Sequence, residues 1–297
     1  MNILIAGGTG LIGTALKQRF TESGHKVLIL SRQKNQQENF IFWDPANNLI
    51  DLDRNIKIDI VINLAGKSIA NHRWNTQIKK AIWSSRIQST ELLTMALLTM
   101  ENTPRLFISS SAIGVYGNTG DKIVTEESPA GNDFLAKLAV AWERATEATK
   151  KNTEIRTVHI RTGVVLSTKG GVLARMLLPF KLGFGGPFSH GNQYMSCISL
   201  HELVNAIEFI IQCEAITGAV NLVAPVAVKN RQFTATLATT LKRPAFFTIP
   251  ATIARLGFGE MADALLLSSS RVKPQVLIEH GYQFIDEDLQ QALKKIL

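Results

Sequence analysis

Residues 1–13 read Met-Asn-Ile-Leu-Ile-Ala-Gly-Gly-Thr-Gly-Leu-Ile-Gly, and this opening stretch decides the fold. Residues 2–6 are a short, mostly apolar run with β-branched isoleucines, the pattern of a strand buried on both faces. Gly7, Gly10 and Gly13 follow at intervals of three, and residues 11–23 carry a helical pattern closed by Gly24. Strand, glycine turn and helix in that order make a phosphate cradle. The first glycine permits the tight turn, the second lets backbone N–H groups approach a pyrophosphate, and the third lets helix and strand pack closely. The helix N-terminus favours the negative charge. A glycine triplet alone also fits an ordinary turn; its flanking strand and helix make it a nucleotide site.

A second strand, residues 26–30, ends about 20 residues beyond the glycines, where an NAD-binding fold places an acid for the ribose 2′-hydroxyl. Ser31 and Arg32 stand there, and the next acid is Glu38. A carboxylate repels a 2′-phosphate, whereas a guanidinium binds one bidentately and the serine hydroxyl adds a donor. The expectation is NADP(H) over NAD(H), against a reading of Arg32 as a solvated loop residue.

Working outward, strand and helix patterns alternate, with further strands expected at residues 40–43, 58–64, 105–109, 155–160 and 219–223. Such alternation means parallel strands with right-handed helical crossovers. The expected class is α/β: a Rossmann-type doubly wound parallel sheet with a smaller, mainly helical C-terminal substrate region. The expected division is a cofactor domain over residues 1–225, of which 171–197 contribute to the substrate region, and a small domain over 226–297. Ligands bind at the carboxyl ends of such strands; there Leu64, Ala65 and Gly66 either let backbone lie along adenosine or ribose or make a plain tight turn.

Helices are expected over residues 74–100, 133–150 and 171–182. In the first, Arg86 falls on an apolar row with Ile78, Ile82, Leu93 and Leu97. A guanidinium directed at a core needs an anionic partner, which cofactor phosphates would supply, or it snorkels to water. Ser199 and Glu202 have capping-box spacing ahead of a helix to Cys213. Asn230 and Asp286 are expected to cap later helices, and Leu256, Met261, Leu265 and Leu266 to be core. The glycine-rich stretch 183–191 reads as a cover over the nicotinamide or as a connecting loop.

Composition narrows the classes. The chain has 297 residues, 45% of them hydrophobic, and a net charge of +8. No run approaches the roughly 18 apolar residues of a membrane span, and the first residues lack a signal-peptide pattern. Lys and Arg are scattered without a basic run of five, so nucleic acid is not an expected partner. Cys197 and Cys213 lack metal-ligand spacing and read as reduced core thiols of a cytoplasmic protein. Asp, Glu and His form no metal constellation. His72, His190 and His201 read as surface or capping residues.

Several motifs together carry a resemblance. They are the glycine turn, Asn63-Leu64-Ala65-Gly66, Ser109-Ser110-Ser111 before Val115-Tyr116-Gly117, and Thr125-Glu126. Further ones are Arg73-Trp74-Asn75, Ser85-Arg86, Trp142-Glu143, Arg161 to Leu166, Gly185-Gly186-Pro187, Lys242-Arg243-Pro244 and Gly281-Tyr282-Gln283-Phe284. The chain resembles the extended short-chain dehydrogenase/reductases. More closely, it is similar to the atypical NAD-dependent epimerase family subgroup that carries a small C-terminal domain of unknown function. The resemblance implies a cofactor without fixing a reaction.

In the parent superfamily a tyrosine, lowered in pKa by a lysine four residues later, transfers a proton while a serine orients the substrate oxygen. None of the three tyrosines here has a lysine at that spacing. Aligning Glu143 with the group's helix glutamate puts Leu135 at the tyrosine and Ala139 at the lysine; Arg86 falls near the group's helper asparagine. The stretch from Cys197 to Glu202 departs from the family's tryptophan-histidine-acid pattern. Candidate catalytic residues are therefore Ser111 (with Ser110 as neighbour), Tyr116 if it turns toward the nicotinamide, and Lys137.

Expected cofactor contacts are Gly7, Thr9, Gly10, Leu11, Ile12, Gly13, Ser31, Arg32, Leu64, Ala65, Gly66, Arg86, Ser109 and Val164. The leading functional expectation is an NADP(H)-dependent oxidoreductase acting on a small carbonyl or sugar-like substrate. The alternatives are a catalytically silent NADPH-dependent binding or regulatory protein and, third, a nucleotide-sugar epimerase. The expected partner is a small-molecule substrate, with no membrane and with a homodimer left open.

Overall fold

The computed structural model describes residues 1–34, 38–151 and 154–297. In chain order the strands are β1 (Asn2–Ala6), β2 (Lys26–Ser31), β3 (Phe40–Asp44), β4 (Leu49–Ile50), β5 (Ile60–Asn63), β6 (Leu106–Ala112) and β7 (Ile123–Val124). There follow β8 (Arg156–Thr162), β9 (Val164–Leu166), β10 (Tyr194–Met195), β11 (Cys197–Ser199), β12 (Gly218–Leu222), β13 (Val228–Lys229) and β14 (Arg271–Val272). The helices are α1 (Leu11–Glu22), α2 (Thr76–Leu98), α3 (Phe134–Arg144), α4 (Gly171–Lys181) and α5 (Leu200–Gln212), then α6 (Asn230–Leu241), α7 (Ala251–Phe258), α8 (Gln275–Glu279) and α9 (Leu289–Ile296).

Eight strands form one sheet in the order β12-β8-β6-β5-β1-β2-β3-β4, parallel except for the edge pair β3–β4. The chain winds outward from β1 in one direction through β2 and β3, then returns to β5 on its other side. This makes the doubly wound arrangement, and its switch point lies between β1 and β5. Alternate residues of β1 serve opposite faces. Ile3 and Ile5 pack with Leu16 and Phe20 of α1 and Ile207 of α5, while Leu4 and Ala6 pack with Leu92, Leu93 and Leu97 of α2. Because helices cover both faces, the four buried residues Ile3 to Ala6 are all apolar rather than every second one.

A separate core joins α4, α6 and α9, with Leu173, Phe180, Phe233, Leu237 and Leu293 in contact. The segment before β10 therefore packs with the C-terminal part. That lobe is tied to the sheet by a buried carboxylate. Glu202, fully buried in the first turn of α5, accepts hydrogen bonds from the Tyr282 hydroxyl and from the backbone N–H of Ile285. The Tyr282 hydroxyl is pushed well above its ordinary pKa by burial, with Glu202 adding to the rise.

Several caps and core positions differ from those the sequence suggests. Ser199 caps α5 by accepting from the Glu202 N–H at 2.9 Å, but the Glu202 carboxylate turns to the C-terminal segment and leaves the capping box half made. Asp288 caps α9; Asp286 instead receives Ser199 Oγ at 2.6 Å and Lys295 Nζ at 2.6 Å. Asn230 is the first residue of α6, and its side-chain oxygen accepts from Phe188 N at 2.9 Å, pinning the glycine-rich loop. Leu256 is 78% exposed, whereas Met261 is buried against Trp74 and Leu138. The helix expected over 133–150 ends at Arg144, and a 3₁₀ segment follows at Glu147–Lys151.

Candidate functional site at the carboxyl ends of the central strands

The glycine turn folds as its spacing predicts. Gly7 has φ +78°, and a Cβ there would lie 2.8 Å from the Leu64 carbonyl, so the turns after β1 and β5 touch at the switch point. A Cβ on Gly13 would meet Gly7 O at 2.3 Å, which is why α1 can approach the turn so closely. Gly10 is the N-cap residue of α1. No side chain caps this helix and its first turn contains no acid. The opening N–H groups of α1 are thus left for an anion. Leu11 lies beside Gly170 and Gly171, so α4 begins against the same turn.

At the end of β2, Arg32 is exposed and makes no ion pair among the described residues. The Ser31 hydroxyl is engaged in its own turn, donating to Gln33 O at 2.9 Å and accepting from Gln33 N at 3.1 Å.

The turn after β5 is braced from two sides. Buried Asn63 accepts from Ala65 N at 3.1 Å and donates to Thr90 at 2.9 Å, which also accepts from the Trp142 indole at 2.9 Å. Arg86 lies against Gly66, donates from Nη1 to Lys67 O at 2.9 Å and Ile82 O at 3.1 Å, and stacks 4.9 Å over the Trp142 ring. It therefore neither snorkels to water nor pairs with a carboxylate among the described residues. Desolvation lowers its pKa to about 10. A half-buried guanidinium held by carbonyls and an aromatic face leaves charge for an anion nearby.

At the end of β6 the polar groups are differently disposed. Ser109 is fully buried, and its hydroxyl has no hydrogen-bond partner. Ser111 Oγ donates to Glu143 Oε1 at 2.7 Å. Arg161, projecting from β8, donates from Nε and Nη2 to the two Glu143 oxygens at 2.8 and 2.9 Å. Its Nη1 donates to the Tyr116 hydroxyl at 3.0 Å and to Glu126 O at 2.9 Å. The Tyr116 hydroxyl donates in turn to Asn221 Oδ1 at 2.7 Å. Glu126 accepts from Asn221 N at 3.0 Å and Gln275 N at 3.2 Å, extending the chain of contacts to α8.

Burial alone would raise the Glu143 carboxyl, but the hydrogen bonds and charge of Arg161, with Ser111, outweigh it and hold it below the usual range. Burial raises Tyr116 above an ordinary phenol despite Arg161. Burial raises the Glu126 carboxyl, its backbone hydrogen bonds only partly offsetting the effect.

The structure therefore brings Ser111 and Tyr116 into one network through Arg161, with the tyrosine hydroxyl facing Asn221. Leu135 packs on the 3₁₀ segment Ile113–Tyr116, where a Cβ on Gly114 would lie 3.3 Å from Leu135 Cβ. Ala139 is buried. Lys137 is exposed on α3 and joins neither group. Val164 begins β9, whose N–H bonds Ser196 O at 2.9 Å. Sequence reasoning singled out the serines and the tyrosine but missed the Glu143–Arg161 pair that organises them. The available signal was Arg161 itself, a cation directly after buried Ile160 on an inner strand of the sheet. His72, His190 and His201 are exposed, and no group of three or more His, Cys, Asp or Glu suited to a metal occurs among the described residues.

A doubly wound sheet with a glycine turn and an uncapped helix at its switch point defines the Rossmann class of folds. Comparison with known proteins narrows that class: residues 3–222 match the NAD dependent epimerase/dehydratase family, and residues 249–296 match a domain of unknown function, DUF1731. The chain belongs to the NAD dependent epimerase/dehydratase family. It is 38% identical to an epimerase family protein of Mycobacterium bovis, over 98% of this chain and 96% of the relative. It is 36% identical to the mouse epimerase family protein SDR39U1 over the full length of both. The crystal structure of human epimerase family protein SDR39U1 (isoform 2) with NADPH superposes with a TM-score of 0.92 at 33% identity, covering 100% of this chain and 99% of the human one.

Proposed function

We propose that this chain is an NADP(H)-binding protein of the atypical short-chain type. In this reading, residues that would serve proton transfer have become an internal brace. The observation that carries it is the bare N-terminus of α1 above the Gly7–Gly13 turn. The human relative crystallised with NADPH supports the cofactor choice. Gly7, Thr9, Gly10, Leu11, Ile12 and Gly13 would hold the pyrophosphate, and Arg32 with Ser31 the 2′-phosphate. Leu64, Ala65 and Gly66 would lie along the adenosine side, with Arg86 positioning their turn. Ser109 and Val164 would face the nicotinamide end, where the orphaned Ser109 hydroxyl offers a partner. When bound, the nicotinamide donates or accepts a hydride.

The residues around that end argue for silence in catalysis. Ser111 spends its proton on Glu143 and Tyr116 spends its own on Asn221, while Leu135 and Ala139 carry none. The competing reading is an oxidoreductase on a small carbonyl or sugar-like substrate. It is favoured by Lys137, an exposed cation on the helix that bears Leu135 and without an ion pair among the described residues. The two separate in one assay: NADPH consumption over a broad carbonyl panel, compared with Ser111→Ala and Lys137→Ala. The brace reading expects tight NADPH binding and no turnover above those variants. Turnover lost in either variant, with binding retained, establishes the oxidoreductase.

A further inference from the structure

The net charge of +8 has a location. Residues 155–201 and 215–259 contain ten of the 32 Lys and Arg residues and none of the 24 Asp and Glu residues, so the remainder of the chain is slightly acidic. These acid-free stretches build α4, α6, α7 and the loops that follow α4 and α6. Two of those loops meet. The Phe184 and Phe247 rings lie 6.0 Å apart, and a Cβ on Gly183 would touch Pro244 at 3.7 Å. The joined tips carry Leu182, Phe184, Phe246 and Phe247, all exposed, with Phe246 at 87%. A phenylalanine so exposed lines no pocket, and a contiguous apolar patch of this kind on a soluble surface marks an interaction site. Lys181, Lys242 and Arg243 fringe the tips, exposed and without ion pairs among the described residues.

We propose that residues 181–184 and 242–247 form a docking surface for an anionic lipid bilayer. Aromatic and leucine side chains enter the acyl boundary while lysine and arginine meet the headgroups, the division that interfacial anchors use. Charge selects this occupant over a second copy of the chain, because a symmetric pairing of the patch would oppose like cations. The arrangement concerns attachment at the surface only, since no helix among the described residues is long and apolar enough to cross a membrane. It does not rest on the cofactor reading.

The test is co-sedimentation of the full chain with vesicles of phosphatidylcholine and phosphatidylglycerol in equal parts, and with phosphatidylcholine alone. Binding is expected only to the anionic vesicles and falls as salt rises. Lys242→Gln with Arg243→Gln should weaken it about thirtyfold, and Phe246→Ala with Phe247→Ala by at least about tenfold. Circular dichroism melts of both variants should match the parent, as expected for exposed positions. Absence of binding to anionic vesicles overturns the proposal, as does equal binding by the parent and both variants. A dimer that Phe246→Ala with Phe247→Ala dissociates reassigns the surface to a second copy.

Discussion

The ends of β1 and β6 lie in the same row of strand termini, yet they treat their polar groups in opposite ways. After β1 the chain uses glycines with no side chain to fill the turn, and the helix that follows has no capping side chain. Its donors stay available to a ligand. After β6 the hydroxyls of Ser111 and Tyr116 are drawn inward to Glu143, Arg161 and Asn221. One row of strand termini thus leaves its donors free at β1 and uses up its hydroxyls at β6, which is the contrast the proposed function rests on. A turn kept open by glycine leaves backbone donors without a protein partner, while a tyrosine tied into an ion-pair network braces the fold.

The largest effect should come from breaking the closed end. Arg161→Met leaves the Glu143 carboxylate buried and unpaired, and urea unfolding should show a loss of about 3–5 kcal/mol. Adding Glu143→Gln should recover much of that loss, because the stranded charge is gone. A loss below about 1 kcal/mol, the range of an exposed pair, would erase the contrast between the two strand ends.

At the open end, Gly13→Ala forces a Cβ to within 2.3 Å of Gly7 O. NADPH affinity measured by fluorescence titration should fall about tenfold to a hundredfold, the consequence of a few kcal/mol of overpacking. Unchanged affinity would separate the turn from the cofactor.

Acid titration sharpens the comparison further. Arg161 depresses the folded Glu143 pKa below its ordinary 4.5. The group therefore contributes stability that is complete above the unfolded value and is lost as pH falls through the folded one. Glu143→Gln should flatten the stability curve in that acid window, below about pH 4.5, as followed by urea midpoints. The smallest effect belongs to Tyr116→Phe, which removes one buried donor at a cost of about 1 kcal/mol and leaves NADPH affinity unchanged.

The open end was readable in the chain because its determinants are local: a run of apolar residues, glycines at fixed intervals and a helix within the first 24 positions. Much of the parallel sheet was equally legible, since burial on both faces makes the inner runs of β1, β2 and β5 almost continuously apolar. The closed end was not, because its partners come from residues 111, 116, 126, 143, 161 and 221, which only the tertiary fold assembles. The same limit explains Asp286 and Asn230. Each has the residue type of a cap, but contacts formed across the fold, to Ser199 with Lys295 and to Phe188, claimed their side chains instead. Arg86 announced itself as a misfit on an apolar row. Its actual support, two carbonyls and the Trp142 ring, has no counterpart in helix periodicity.

On the proposed reading the open end takes a dinucleotide bearing a 2′-phosphate. Paired titrations of NADPH and NADH into the parent protein and into Arg32→Ala measure this directly. The parent should prefer NADPH by at least about tenfold, the worth of one charge-assisted contact, and the variant should lose that preference with NADH affinity unchanged. Equal affinity of the parent for both dinucleotides, or a preference that survives in Arg32→Ala, would contradict it.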